Sequence, residues 1–170
     1  MDRITKEITP LGKIGHYGEI RCKFNPVIPA LIFYTIEMKQ RLAQIALVVR
    51  DYDEAIQFYT EILKFDLIED TQLTPSKRWV IVQPPGSQGC RLLLAKAVGS
   101  EQMSRIGNQT GGRVFLFLYT DNFRRDYEFL KMKGVKFVRE PSEESYGIVA
   151  VFADLYGNLI DLIEPRSADV

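Results

Sequence analysis

The sequence predicts an α+β fold in which two βαβββ modules form curved mixed sheets around a shared pocket, helices outside. Two observations predict it. The order β-α-β-β-β occurs twice along the chain, and the two aspartates that would start the helices, Asp51 and Asp121, stand seventy residues apart. Each repeat also opens with an apolar strand candidate and closes with three short ones separated by turn residues.

The elements follow in order. Gln44 to Val49 (QIALVV) is a β-branched, apolar strand. Asp51 follows as an N-cap with Glu54 three residues on, the spacing of a capping box. Tyr52, Ala55, Ile56, Tyr59, Ile62 and Leu63 then fall on one face of a helix. Strands are expected over Asp66–Asp70, Arg78–Val82 and Arg91–Ala95, punctuated by Pro75 and by Pro84-Pro85-Gly86. In the second repeat Val114 to Tyr119 (VFLFLY) is a strand and Asp121 a cap. Phe123, Tyr127 and Leu130 mark the buried helix face, and Gly134 is the C′ residue. Val135–Arg139, Ile148–Phe152 and Leu159–Ile163 complete the module, the last two joined by Tyr156-Gly157-Asn158.

The modules span residues 40–97 and 111–165 of a domain covering 38–170. Residues 1–37 read as an N-terminal extension. Pro10, Gly12, Gly15, Gly18, Pro26 and Pro29 interrupt regular structure there, and the apolar run Val27–Ile36 is expected to pack on the domain or on a partner subunit.

Composition narrows the function classes. The chain has 170 residues, 46% hydrophobic and 26% charged, which suits a globular domain. Lysine plus arginine and aspartate plus glutamate balance at 22 each, and no basic run appears, so nucleic acid is not an expected partner. The longest apolar run is shorter than the roughly 20 residues a bilayer span needs, and it lacks the pattern of an export signal. A cytoplasmic protein with a small or neutral partner is expected. Cys22 and Cys90 have no Cys-x-x-Cys spacing and read as reduced thiols. His16, the single histidine, lies in the extension without partner spacing and reads as structural or exposed.

The segment QIALVVRDYDEAIQFYTEILKF resembles the opening of the glyoxalase/bleomycin-resistance/extradiol-dioxygenase (vicinal oxygen chelate) superfamily. GGRVFLFLYTDNFRRDYEFLKMKGVKFVREP resembles the start of its second module and DLYGNLIDLIEP its closing strand. The resemblance covers residues 40–165 in the right order. It implies a homodimer, and in metal-dependent members it implies four pocket-facing ligands on the first and last strands of each module. Carried onto this chain, those positions are Gln44, Leu93, Val114 and Asp161. Leucine and valine offer no donor atom to a divalent metal. The expectation is therefore a protein without a bound transition metal or other cofactor that binds a small apolar or drug-like molecule between its modules. The competing reading is a metal-dependent lyase, isomerase or dioxygenase using Gln44 and Asp161, and a third is an oligomerisation module.

Strand parity assigns the ligand-facing residues. Gln44, Ala46 and Val48 share one face with Leu93, Val114, Leu116, Leu118 and Asp161, while Phe115, Phe117 and Tyr119 are expected under the helices. Trp79, the single tryptophan, is read either as a stacking surface for a planar ligand or as core. Arg91, Arg113 and Tyr146 are candidates for the pocket mouth, with Arg113 suited to an anionic group or simply exposed. No G-x-S-x-G, phosphate-binding loop or dinucleotide fingerprint is present.

Overall fold

The computed structural model describes residues 39–166. Readings that fall on residues 1–37, including those of His16, Cys22 and Val27–Ile36, lie outside the described residues. The β-α-β-β-β order is found twice. The first module comprises β1 (Gln44–Val49), α1 (Tyr52–Gln57), β2 (Asp66–Thr74), β3 (Lys77–Gln83) and β4 (Arg91–Lys96). The second comprises β5 (Val114–Tyr119), α3 (Phe123–Met132), β6 (Phe137–Glu144), β7 (Gly147–Ala153) and β8 (Leu159–Pro165). A short helix between the modules, α2 (Gly99–Met103), has no counterpart in the sequence reading.

Each module forms one four-stranded mixed sheet, ordered β1-β4-β3-β2 and β5-β8-β7-β6. The pairs β1·β4 and β5·β8 are parallel and the rest antiparallel. The opening strands β1 and β5 are therefore edge strands. Pro141 lies in β6, at the other edge, where a missing N–H is tolerated.

Helix α1 starts as the sequence predicts. Asp51 Oδ1 accepts hydrogen bonds from the N–H groups of Asp53 (2.9 Å) and Glu54 (3.4 Å). The reciprocal half of a capping box is absent, because Glu54 instead pairs with Arg50 at 2.9 Å and accepts from the Tyr156 hydroxyl at 2.8 Å. The helix widens into a π-helical turn over Phe58–Ile62, where Leu63 N–H donates to Phe58 C=O at 3.1 Å. In the second module the cap is Asn122 rather than Asp121. Asn122 Oδ1 accepts from Arg125 N–H at 2.9 Å, while Asp121 pairs with the Arg125 guanidinium at 2.8 Å. Gly134 takes φ +78°, the left-handed conformation expected of a C′ glycine.

One apolar core runs through both modules. Leu47, Val49, Val80, Val82, Leu92 and Leu94 pack beneath Tyr52, Ala55, Tyr59 and Leu63. Ala150, Phe152, Ile160 and Leu162 pack beneath Phe123, Tyr127 and Leu130. Each fully buried leucine or valine contributes about 1.5–3 kcal/mol relative to exposure.

A polar clasp crosses from the β7–β8 turn to α1. Asp154 Oδ1 accepts from the N–H groups of Tyr156, Gly157 and Asn158 at 2.8–2.9 Å. Asp154 Oδ2 accepts from Asn158 Nδ2 and from the buried Tyr59 hydroxyl, both at 2.8 Å. Burial, reinforced by Asp154, pushes the Tyr59 hydroxyl well above the usual tyrosine range, so it stays a donor. Gln109 ties in β1: its amide bonds both the N–H (3.3 Å) and C=O (3.1 Å) of Val48, and its own N–H donates to Asn158 Oδ1 at 3.3 Å. Gly107 passes so close that a Cβ there would sit 2.0 Å from the Tyr156 carbonyl oxygen. No helix among the described residues is long and apolar enough to cross a membrane.

This clasp makes a stability prediction. Tyr59→Phe is expected to cost about 1–3 kcal/mol by removing one donor from a buried carboxylate. Asp154→Ala should cost more, because it leaves several donors without an acceptor. Urea unfolding should show lower midpoints with unchanged slopes; midpoints equal to wild type would refute the assigned role.

Candidate functional site

Residues directly opposite in a sheet point to the same face, so the registers show what each sheet presents on its face away from the helices. In the first sheet one row is Ala46–Leu93–Ile81–Glu69, flanked by the pair Gln44–Arg91. Arg91 Nε donates to Gln83 Oε1 at 2.7 Å. In the second sheet the corresponding row is Phe117–Asp161–Val151–Arg139, followed by Tyr119–Ile163–Val149–Ser142 and preceded by Val114–Leu159–Ala153.

These rows correct the sequence reading. Gln44, Ala46, Leu93, Val114 and Asp161 share the helix-free faces as expected. Leu116 and Leu118 do not: they pack on the core. Phe117 and Tyr119, expected beneath the helices, are 65% and 52% exposed. The physical cause is an irregularity in β5. Val114 pairs with Leu159 but Leu116 with Ile160, so Phe115 is an extra residue that reverses the alternation after it. Phe115 itself packs on the core as expected.

Asp161 is the unusual member of the second sheet's row. It is 6% exposed, and its Oδ1 accepts no hydrogen bond. The guanidinium Nη2 of Arg139 approaches Oδ1 to 3.7 Å, within ion-pair range but too far for a hydrogen bond. Burial raises the Asp161 carboxyl above the usual aspartate range, and Arg139 pulls it partly back.

The four positions that hold metal in metal-dependent relatives carry few donor atoms here. Leu93 and Val114 carry no donor atom, and the cation already beside Asp161 is a guanidinium. Gln44 and Asp161 make no hydrogen bond to each other. Among the described residues no cluster of three histidine, cysteine, aspartate or glutamate side chains could hold an ion.

An open groove of about 700 Å³ lies beside β5. Its walls are Ile45 and Leu92 of the first module, the 84–90 loop, and the stretch from Leu116 to Tyr119 with Ile160 of the second. Of the predicted ligand-facing residues, Leu116 and Leu118 line it. Trp79 is half-buried and pairs with Thr71 across β2 and β3. Arg113 is exposed on the approach to β5, and Tyr146 is 54% exposed on the β6–β7 turn. Phe117 and Tyr119 were missed by alternation alone, since nothing in VFLFLY announces the bulge. They belong both to the groove and to the face that carries Asp161.

Comparison with known proteins agrees with this architecture. Residues 41–162 match the model of the Glyoxalase/Bleomycin resistance protein/Dioxygenase superfamily, and the chain belongs to that superfamily. A protein of Shewanella frigidimarina (strain NCIMB 400) is 64% identical over 128 residues, 75% of this chain and 95% of that protein. The crystal structure of UcmS2 aligns with TM-score 0.66 and 32% identity, covering 75% of this chain and 99% of UcmS2. TnmS3, an antibiotic binding protein from Streptomyces sp. CB03234, aligns with TM-score 0.61 and 28% identity over 77% of this chain and 99% of TnmS3.

The raised Asp161 carboxyl predicts a pH-dependent effect of Asp161→Asn. The stability associated with neutral Asp161 is fully present below the ordinary aspartate value of about 3.9 and is lost as pH rises through the raised folded value. The asparagine variant does not ionise and escapes that loss. Its thermal midpoint should gain on wild type as the pH rises above about 4. A difference that stays constant over that rise would contradict the assignment.

Proposed function

We propose that this protein binds a small, largely apolar, drug-like molecule and does so without a transition metal. The observation that carries the reading is the groove beside β5. Its apolar walls and its volume of about 700 Å³ fall in the range of small-molecule pockets, roughly 300–1,000 Å³. Phe117 and Tyr119 add exposed aromatic surface with low conformational entropy. The similarity to the antibiotic-binding TnmS3 supports the same direction. Leu93 and Val114 weigh against the metal-dependent lyase, isomerase or dioxygenase reading, because they remove two of the four ligands such chemistry uses in the superfamily. The apolar exposure of edge strand β5 also supports a homodimer, to be checked by sedimentation.

A thermal-shift screen of flat apolar compounds, antibiotics among them, tests the binding reading. A compound at about 100 times its dissociation constant should stabilise the native state by about 2.7 kcal/mol. Phe117→Ala should leave the unliganded midpoint close to wild type and reduce that shift. No stabilisation by any compound would overturn the proposal. Stoichiometric nickel, zinc or iron in purified protein would overturn its metal-free part.

A further inference from the structure

Each module stops its helix with a residue in the left-handed conformation, which turns the next N–H back to a free carbonyl of the helix. In the second module that residue is Gly134, and Val135 N–H donates to Leu130 C=O at 3.0 Å. In the first it is Lys64, at φ +61°, and Phe65 N–H donates to Tyr59 C=O at 2.9 Å. Among the described residues Lys64 is the single non-glycine residue with positive φ. The backbone shape therefore belongs to the fold, but the lysine does not. A Cβ is unfavourable there, and glycine closes the helix without strain, as the second module shows. A residue held against its backbone preference calls for a use of its side chain.

Lys64 Nζ stands 5.6 Å from the centroid of the Phe129 ring on α3, and Lys133 Nζ stands at the same distance from that ring. Neither ammonium is in an ion pair among the described residues. Lys64 also lines a hollow of about 470 Å³ between the end of the π-helical turn and α3. Phe65, Pro84, Pro85, Leu118 and Tyr119 line both this hollow and the groove beside β5, so the two run together. The two carboxylates of the hollow are already engaged: Arg125 pairs with Asp121 at 2.8 Å and with Asp126 at 2.7 Å. An ammonium entering would find both taken. An anion would find the Lys64 ammonium without a counter-charge and a second cation, Lys133, on the same ring.

We propose that the groove and this hollow form one site for an apolar ligand that carries a carboxylate, whose charge Lys64 meets while the apolar body lies along Phe65, Leu118 and Tyr119. This rests on the small-molecule reading above and adds the class of ligand.

Calorimetric titration with α-naphthylacetate and with α-naphthylacetamide tests the site, since the two share shape and ring system and differ in charge. Wild type is expected to bind the acid about fivefold more tightly than the amide, the upper end for a partly exposed ion pair. The preference should shrink as salt is raised from about 0.01 M to 1 M. Lys64→Gly relieves the backbone, so its thermal midpoint should equal or exceed that of wild type while the preference disappears and amide binding is unchanged. Lys64→Gln, which keeps the Cβ and removes the charge, provides a second variant and should also abolish the preference. Equal binding of the two probes by wild type, or a preference that survives both substitutions, overturns the carboxylate site and leaves the small-molecule reading standing. If neither probe binds while screened compounds stabilise the protein, the carboxylate site again falls alone. If nothing binds, both readings fall.

Discussion

The carboxylate of Asp154 holds the two modules in one arrangement. Five hydrogen bonds converge on it, three from the backbone of its own turn, one from Asn158 and one from Tyr59 of the other module. A buried carboxylate is stable only when so fully partnered, and its need for donors fixes the turn against the first helix. Tyr156 and Gln109 extend the same junction, reaching Glu54 and Val48. The Asp-x-x-Gly-Asn segment thus has a structural reason that involves no ligand. The groove beside β5 has residues of both modules in its walls, so the junction also sets its shape.

Asp161 is the opposite case. It is buried as deeply as Asp154 but accepts no hydrogen bond at Oδ1. Two carboxylates seven residues apart in sequence therefore do different work. One satisfies the fold, and the other is left over by it. At the equivalent place in the first sheet stands Leu93, so the fold itself does not require a carboxylate there. Of the four positions that bind metal in metal-dependent relatives, two are aliphatic here, Leu93 and Val114, and the Arg139 guanidinium stands 3.7 Å from a third, Asp161.

Much of the fold was legible before the structure. The helix face from Tyr52 to Leu63, the Asp51 cap and the Gly134 stop follow from local rules and were found where the periodicity put them. The second cap shows the limit. Asp121 and Asn122 are adjacent and both capable, and only the backbone geometry selects Asn122. Val114 still lies on the helix-free face, because placing the cap one residue early at Asp121 was cancelled by the extra residue at Phe115. Beyond the bulge the cancellation no longer helped, and Leu116 and Phe117 exchanged faces.

By itself the sequence determined the repeat, the order of its elements and the aliphatic residues at Leu93 and Val114. Each of these depends on local propensity, periodicity or residue chemistry. Only the tertiary structure decided which side chains of β5 face outward, that Tyr59 serves Asp154, and that Arg139 stands beside Asp161. These depend on register between strands distant in sequence, where one bulged residue reverses every side chain after it.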